Sequence, residues 1–139
     1  MGYQFLEHTA DLKIVVAESS LERAFKTSAM ALKEAIAEKI NVKFPVKKEI
    51  LVEGEDLSDL LYKFLEEFLF LLDSENFLVS RIKKLKIIET KTGYILNAEV
   101  EGDKAGNYKF SNSVKAITFN EMFVVKQKGK FRIQFVLDV

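Results

Sequence analysis

Cysteine is absent from this 139-residue chain, and histidine occurs only once, as His8. Without cysteine there are no disulfides, no thiolate zinc sites and no thiol nucleophiles. A single imidazole also excludes a pair of histidines at metal-binding spacing. Any bound metal must therefore be held mainly by oxygen atoms, which favours calcium, magnesium or manganese over zinc or copper.

An excess of either charge is also absent, since 21 Lys and Arg balance 21 Asp and Glu. Proteins that bind nucleic acid through its phosphates usually carry a basic excess, so strong direct binding of nucleic acid is not expected. The longest apolar run, Phe68 to Leu72, is far shorter than the roughly 20 residues that cross a bilayer. The first residues lack the basic and apolar blocks of a signal peptide. We therefore expect a cytoplasmic protein that does not enter a membrane.

The apolar patterns predict one α+β domain over residues 1–139. Helical spacing predicts two helices, over residues 20–38 and from Asp56 onward, and Ser19 stands at capping-box spacing from Glu22. Strands are predicted over residues 3–6, 11–17, 46–53, 83–89, 94–101, 114–119, 122–127 and 130–138, with an exposed loop over 102–107. The strand connections are too short for parallel crossovers, so we expect two helices packed on a mostly antiparallel mixed β-sheet.

The second predicted helix is unusual in being apolar on nearly every side after Glu67. Such a turn is either wrapped by the sheet, which is the more usual outcome, or presented to a partner. The surface of a small domain does not need so many aromatic residues, so Phe70 is a candidate interface residue. In front of this helix, the acidic run Glu53 to Asp56 is typical of helix capping and also fits a binding patch.

Two aspartates stand out by their positions. Asp11 lies at the start of a predicted strand, and Asp138 is followed by Val139, whose terminal carboxylate adds a second negative group. Carboxylates this close repel one another unless a cation or a lysine lies between them. If the first and last long strands end side by side, these residues form an oxygen-rich pocket for a divalent ion. A solvated C-terminus beside an unrelated surface aspartate would give the same pattern.

His8 and Lys115 are the other candidates for chemistry. His8 fits three roles that the sequence leaves open: a metal ligand, a general base or a hydrogen-bonded residue in a turn. Lys115 alternates away from Val114 and Ala116 and could neutralise the carboxylates or reach a partner's nucleotide phosphate, although strand lysines commonly face solvent. The chain has no phosphate-binding glycine loop and no serine elbow, so catalysis by the chain alone is not expected.

Several blocks of the sequence resemble the archease family. The segment His8-Thr9-Ala10-Asp11, followed by Ser20-Leu21-Glu22-Arg23-Ala24-Phe25, is similar to the family's opening. The stretch from Glu53 to Phe68 resembles its central helix. Val114 to Phe119 resembles its lysine-bearing strand, and Val136-Leu137-Asp138-Val139 resembles its C-terminal end. The resemblance covers essentially the whole chain in the same order.

This resemblance implies a function as well as a fold. Archeases promote the guanylylation and turnover of the RtcB-type ligase that joins tRNA halves during splicing. They are also linked to tRNA methyltransferases as chaperone-like partners. The resemblance therefore implies an activator of an RNA ligase that is not itself an enzyme, with calcium as the bound ion.

The resemblance also assigns roles to individual residues. The family's metal ligands fall on Asp11, Asp138 and Val139. Lys115 matches the family's functional lysine, near the nucleotide site of the ligase. The opening motif adds two positions expected to face the partner or to support the metal ligands, His8 and Thr9.

Two departures from the family's pattern affect the partner chemistry that is expected. Ser111-Asn112-Ser113 stands where a Gly-Thr-Glu step is typical, which removes one carboxylate before Lys115. Asn120 replaces a residue that is often histidine. Two other functions stay open: a chaperone-like partner of a tRNA methyltransferase, which would not need the metal, and a small metal-dependent hydrolase.

Overall fold

A computed structural model describes residues 2–8, 11–38 and 40–139. Two α-helices, a short 3-10 helix and seven strands follow one another in these residues. In chain order the elements are β1 (Gly2–His8), β2 (Asp11–Glu18), α1 (Leu21–Ile36), β3 (Val46–Gly54), α2 (Leu57–Glu75), β4 (Phe77–Glu89), β5 (Tyr94–Lys104), the 3-10 helix (Ala105–Asn107), β6 (Ala116–Gln127) and β7 (Lys130–Asp138).

The strands form two sheets. Sheet A has the order β1-β2-β7-β6 and sheet B the order β3-β5-β4. Every strand pairing in the described residues is antiparallel. The predicted α+β class is confirmed, but the strands form two antiparallel sheets and not the one mixed sheet that the sequence predicts. The division arises because α1 carries the chain from sheet A to sheet B and residues 105–115 carry it back.

Both helices pack against strands of both sheets. α1 contacts β1, β2 and β7 of sheet A and β4 of sheet B, while α2 contacts β6 of sheet A and all three strands of sheet B. A helix that faces two sheets must be apolar on more than one side. This placement explains the apolar turn of α2, in which Phe68, Leu69 and Leu71 are all buried.

Side-chain caps fix the starts of both helices. The hydroxyl of Ser20 accepts a backbone N–H of α1 at 3.2 Å, so the predicted cap at Ser19 is wrong by one residue. At α2 the predicted Asp56 cap is confirmed, because its carboxylate accepts the Asp59 N–H at 2.8 Å. The Asp59 carboxylate accepts the Glu55 N–H at 2.9 Å, and this hydrogen bond lowers the pKa of Asp59. The acidic run before α2 therefore acts in capping.

The segment predicted as an exposed loop, residues 102–107, is instead folded. β5 continues to Lys104, and the 3-10 helix begins at Ala105, which is buried. Gly102 serves close packing rather than a turn, because a Cβ atom there would collide with the carbonyl oxygen of Leu78 on β4. Glycine inside a strand often marks such a close approach of two backbones.

β6 is a single strand where the sequence predicted two. Its register with β7 shifts between Thr118 and Phe123, and Glu121 within this bulge has φ 59°. The Gln134 side chain donates to the carbonyl oxygen of Glu121 at 2.9 Å, and Lys13 Nζ meets the Glu121 carboxylate at 2.9 Å. The bulge is thereby tied to β7 and β2 across sheet A. Bulges of this kind bend an edge strand and re-aim its side chains.

The core lies where the helices meet the inner faces of the sheets. Phe25 of α1, Phe64 of α2 and Phe135 of β7 are completely buried, and the rings of Phe25 and Phe64 lie 6.1 Å apart. Burial of each such side chain stabilises the fold by about 1.5–3 kcal/mol relative to exposure. Within the described residues, neither helix combines the length and the apolar character needed to cross a membrane.

Candidate metal centre and partner surface

Asp11 and Asp138 lie directly opposite each other at one end of sheet A. Asp11 is the first residue of β2, Asp138 is the last of β7, and the two are register partners. Both alternate with buried residues, such as Ile14 and Phe135, that face the helices. The two carboxylates therefore belong to the outer face of the sheet, with Cβ atoms about 4.5–5.5 Å apart, as is usual for opposed residues. The prediction that the start and the end of the chain meet is confirmed.

Lys115 is fixed beside this pair by the backbone. Its N–H donates to the carbonyl oxygen of Asp138 at 2.7 Å, and Ala116, the first residue of β6, is the register partner of Asp138. The Lys115 side chain is exposed and makes no ion pair with another described residue. Likewise, no described lysine or arginine pairs with the Asp138 carboxylate. One short segment therefore joins a lysine to the opposed aspartates.

The acidic groups at this end of sheet A, those of Asp11 and Asp138, supply oxygen atoms. The described residues contain no group of three or more His, Cys, Asp or Glu side chains arranged to hold a metal. The predicted third ligand, the terminal carboxylate of Val139, is a main-chain group, and the Val139 side chain packs against the core beside Asp138. Calcium takes about six to eight oxygen ligands. These groups therefore fit a hard cation in an open site, with coordination positions left for water or a partner.

The backbone of His8 lies at the same end of sheet A as Asp11 and Asp138. The backbone of His8 ends β1 and is the register partner of Asp11, which places the residue in the same row as the aspartates. The His8 side chain and all of Thr9 lie outside the described residues. Their roles as partner-facing or supporting residues stay predictions.

Phe70 is the exception in the apolar turn of α2. Its side chain is 51% exposed, whereas its neighbours Phe68, Leu69 and Leu71 are buried. The turn is thus wrapped by the two sheets on every side but one. Phe70 occupies the open side, which agrees with its selection as a candidate interface residue.

The structure brings Phe70 and Lys115 into one groove, a proximity that the sequence did not reveal. The groove runs between the C-terminal half of α2 and the start of β6 and encloses about 260 Å³. The residues that define this α2–β6 groove are Glu66, Leu69, Phe70, Asp73, Lys115 and Ile117. Because Lys115 also bonds to Asp138, the groove adjoins the opposed aspartates.

An aromatic pair at the side of this groove was not predicted from the sequence. The rings of Tyr62 on α2 and Phe119 on β6 stack with centroids 4.1 Å apart and planes 16° from parallel. Phe119 remains 54% exposed despite the stack. A hydrogen bond to Glu66, together with partial burial, raises the pKa of the Tyr62 hydroxyl. The only sequence signal was an aromatic residue in each element, which gives no information on their pairing.

The segment that departs from the archease pattern has a structural role. The Asn112 side chain donates to the carbonyl oxygen of Ala35 at 2.7 Å, and the Ser111 N–H donates to that of Ile36 at 2.7 Å. Both acceptors lie in the last turn of α1, where carbonyl groups lack helical partners. These bonds anchor the segment that leads to Lys115. Asn120, the other departure, is exposed within the bulge of β6.

Comparison with known proteins assigns this fold to a family. The model of the Archease protein family (MTH1598/TM1083) matches residues 3–139. The chain belongs to the archease family. Its relatives include the archease of Pyrococcus abyssi, 41% identical over 99% of this chain and 98% of that protein. The archease of Sulfolobus acidocaldarius is 32% identical over 99% of this chain and 98% of its own length.

Solved structures agree with this assignment. The solution structure of Methanobacterium thermoautotrophicum protein 1598 superposes with a TM-score of 0.86 at 29% identity, covering 99% of each chain. A crystal structure of an archease from Thermotoga maritima, described as a possible chaperone, gives a TM-score of 0.65 at 20% identity. That comparison covers 96% of this chain and 94% of the Thermotoga protein and supports the shared fold.

Proposed function

We propose that this archease is a metal-binding accessory protein that activates an RtcB-type tRNA-splicing ligase. It promotes the guanylylation of the ligase and its multiple turnover in the cytoplasm, and it does not catalyse ligation itself. Asp11, Asp138 and Val139 hold a divalent cation, with calcium favoured and magnesium or manganese as alternatives. Lys115 faces the nucleotide site of the ligase.

The observation that supports this proposal most directly is the row formed at the end of sheet A. Asp11 lies opposite Asp138, and the backbone of Lys115 is bonded to the Asp138 carbonyl at 2.7 Å. Two opposed carboxylates repel each other, so a cation between them is stabilising. A bound ion would supply a second positive charge beside the Lys115 ammonium, which suits contact with a phosphate group.

Stimulation of the ligase tests this proposal. The ligase from the same organism is assayed for guanylylation and for multiple-turnover joining of tRNA halves, with and without this protein and calcium. We expect Asp11→Ala, Asp138→Ala and Lys115→Ala each to reduce the stimulation by at least about tenfold, as for loss of a group that acts on a metal or a transferring nucleotide.

Sheet B provides matched controls for these substitutions. Glu49 and Glu99 also lie directly opposite each other, and Lys84 is the register partner of Glu99. Substitution of any of these three by Ala is expected to leave the stimulation unchanged. Full stimulation by the Asp11 and Asp138 variants would contradict the proposal, as would release of a product by this protein without the ligase.

A chaperone-like role is the second candidate. The Thermotoga archease carries that description, and the exposed side chains of Phe70 and Phe119 offer apolar surface to a partner. A tRNA methyltransferase partner would be kept in solution by this protein even when the metal is chelated. Co-purification from the native host, followed by light-scattering measurements with EDTA, would distinguish this role from ligase activation.

A further inference from the structure

The α2–β6 groove has the layout of a protein contact site. Its floor is apolar, since Leu69 and Ile117 are 7% and 4% exposed, and its wall is the half-exposed ring of Phe70. Charged residues, Glu66, Asp73 and Lys115, occupy the remaining sides. An apolar centre with a polar rim is the usual anatomy of a protein interface.

The size of the groove indicates the kind of occupant. Its volume of about 260 Å³ is below the roughly 300–1,000 Å³ of pockets that hold small molecules. A space of this size suits one or two side chains of a partner rather than a cofactor. An anchoring side chain in a small pocket is the arrangement found at interaction hot spots.

The contact surface continues beyond the groove along α2. Tyr62, Glu66 and Phe70 are spaced four residues apart, so they line one stripe of the helix. On β6, Ile117 and Phe119 alternate along the strand on the side that faces this stripe, as shown by the stack of Phe119 on Tyr62. Exposed aromatic rings, Phe70 at 51% and Phe119 at 54%, therefore lie at two points of one continuous strip.

The charges on the rim indicate the chemistry of the partner. Asp73 and Lys115 line the same groove, yet neither makes an ion pair with another described residue. Glu66 is hydrogen-bonded to the Tyr62 hydroxyl, and its side chain is exposed. The two acids on the α2 side would be complemented by basic residues on a partner, and such complementarity favours association.

We infer that the α2–β6 groove binds a segment of the ligase in which an apolar side chain is flanked by lysine or arginine. The apolar side chain enters the groove beside Phe70, and the basic residues meet Glu66 and Asp73. The inference rests on the proposed function, because the partner is the ligase. The groove adjoins Asp138 through the backbone hydrogen bond of Lys115. Binding at the groove would place Lys115 against the ligase surface, at the end of sheet A where Asp11 and Asp138 lie.

Affinity for the ligase, measured separately from its activation, tests this inference. Surface plasmon resonance with the ligase of the same organism gives the Kd for Phe70→Ser, Phe119→Ser and Asp73→Lys. We expect the Kd to rise about tenfold or more for Phe70→Ser, the anchoring position, and about threefold to tenfold for the other two. Titration should give each variant the wild-type affinity for calcium, because none of these residues is a proposed metal ligand.

Two controls keep the result clear. Phe44 is 85% exposed and lies outside the groove, so Phe44→Ser should leave the Kd unchanged. Asp73→Lys alters a charge that has no described partner, so it tests the groove even if a Phe variant proves unstable.

The outcomes separate the groove from the proposed function. Unchanged Kd values for all three groove variants, with ligase stimulation intact, would overturn the groove assignment alone. Tight binding that depends on the groove, without any stimulation of the ligase, would support the groove and contradict the proposed function. Absence of binding by the wild-type protein would overturn both.

Discussion

Sheets A and B each place two carboxylates directly opposite each other, but the rows to which they belong differ in charge. In sheet B, Glu49 faces Glu99, and the next position across is Lys84. In sheet A, Asp11 faces Asp138, and the positions on either side of this pair are His8 of β1 and the uncharged Ala116 of β6. The row in sheet B therefore carries its own cation. In the row of Asp11 and Asp138, by contrast, no register position holds a lysine or an arginine.

A second carboxylate of sheet B makes the same point. The side chain of Glu101 is only 9% exposed on the central strand, with Arg81 Nε at 3.4 Å and Lys83 Nζ at 3.7 Å. A buried carboxylate is stabilised when cations lie this close to it. Sheet B thus places lysine or arginine side chains beside its opposed and buried acids, whereas the register positions around Asp11 and Asp138 hold neither residue type.

The largest expected effect that tests this contrast is on metal affinity. Asp11→Ala and Asp138→Ala should each weaken calcium binding on the order of 100-fold, because the loss of a ligand costs at least as much as the loss of a group supporting it. Glu49→Ala and Glu99→Ala should bind calcium as the wild-type protein does. Isothermal titration calorimetry of chelator-treated protein measures the calcium affinity of both pairs of variants. Equal losses in the two pairs would remove the distinction between the sheets.

Removal of calcium should lower the free energy of unfolding of the wild-type protein. A ligand present at 100 times its Kd raises the free energy of unfolding by about 2.7 kcal/mol. Urea denaturation with calcium, and again with EDTA, should show this difference. In Asp138→Ala the two denaturation curves should coincide. A wild-type midpoint that does not respond to calcium would argue against the site.

Substitution of Glu101, the buried acid of sheet B, should have a smaller effect on the free energy of unfolding, and this effect should not depend on metal. Glu101→Ala is expected to lower the free energy of unfolding by about 1–2 kcal/mol, below the cost of a fully buried pair. The expected loss is smaller than for a fully buried pair because solvent screens the two cations, since the Arg81 and Lys83 side chains are 64% and 33% exposed. The same loss should be measured with calcium and with EDTA. A loss found only with calcium would place the cation at the wrong sheet.

The smallest expected effect is a gain in stability. In EDTA, Asp138→Asn removes the repulsion with Asp11 and should raise the free energy of unfolding by about 0.2–1 kcal/mol. Glu99→Gln should give no such gain, because it also removes the attraction between Glu99 and its register partner Lys84. Thermal denaturation of both variants in EDTA measures the difference. Destabilisation by Asp138→Asn without metal would show that the aspartates are not in mutual repulsion.

Local patterns in the sequence predicted most of the helices and strands and the meeting of Asp11 with Asp138. Alternation along residues 11–17 and 130–138 predicted two strands, and the acids at their ends predicted a site if those ends met. The pairing of Asp11 with Asp138 satisfies that condition. The binding of a metal stays a prediction, because it depends on coordination and not on strand order alone.

Features that depend on distant contacts were not predictable in this way. Phe70 and Lys115 were selected separately, and only the packing of α2 against β6 brings them into one groove. The sequence predicts that Gly102 lies in an exposed loop, since sequence alone does not show that the backbone of β4 lies against it. The division into two sheets likewise follows from how the helices pack, which periodicity within each strand does not record.

The central position of β7 has a consequence for how the protein is made. β7 lies between β2 and β6, although it follows both of them in the chain. Domains emerge from the ribosome N-terminal end first, at about 5–20 residues per second. Until residues 130–138 leave the exit tunnel, β2 and β6 have no strand between them and sheet A cannot close. The pairing of Asp11 with Asp138 therefore exists only in chains whose translation has passed Asp138.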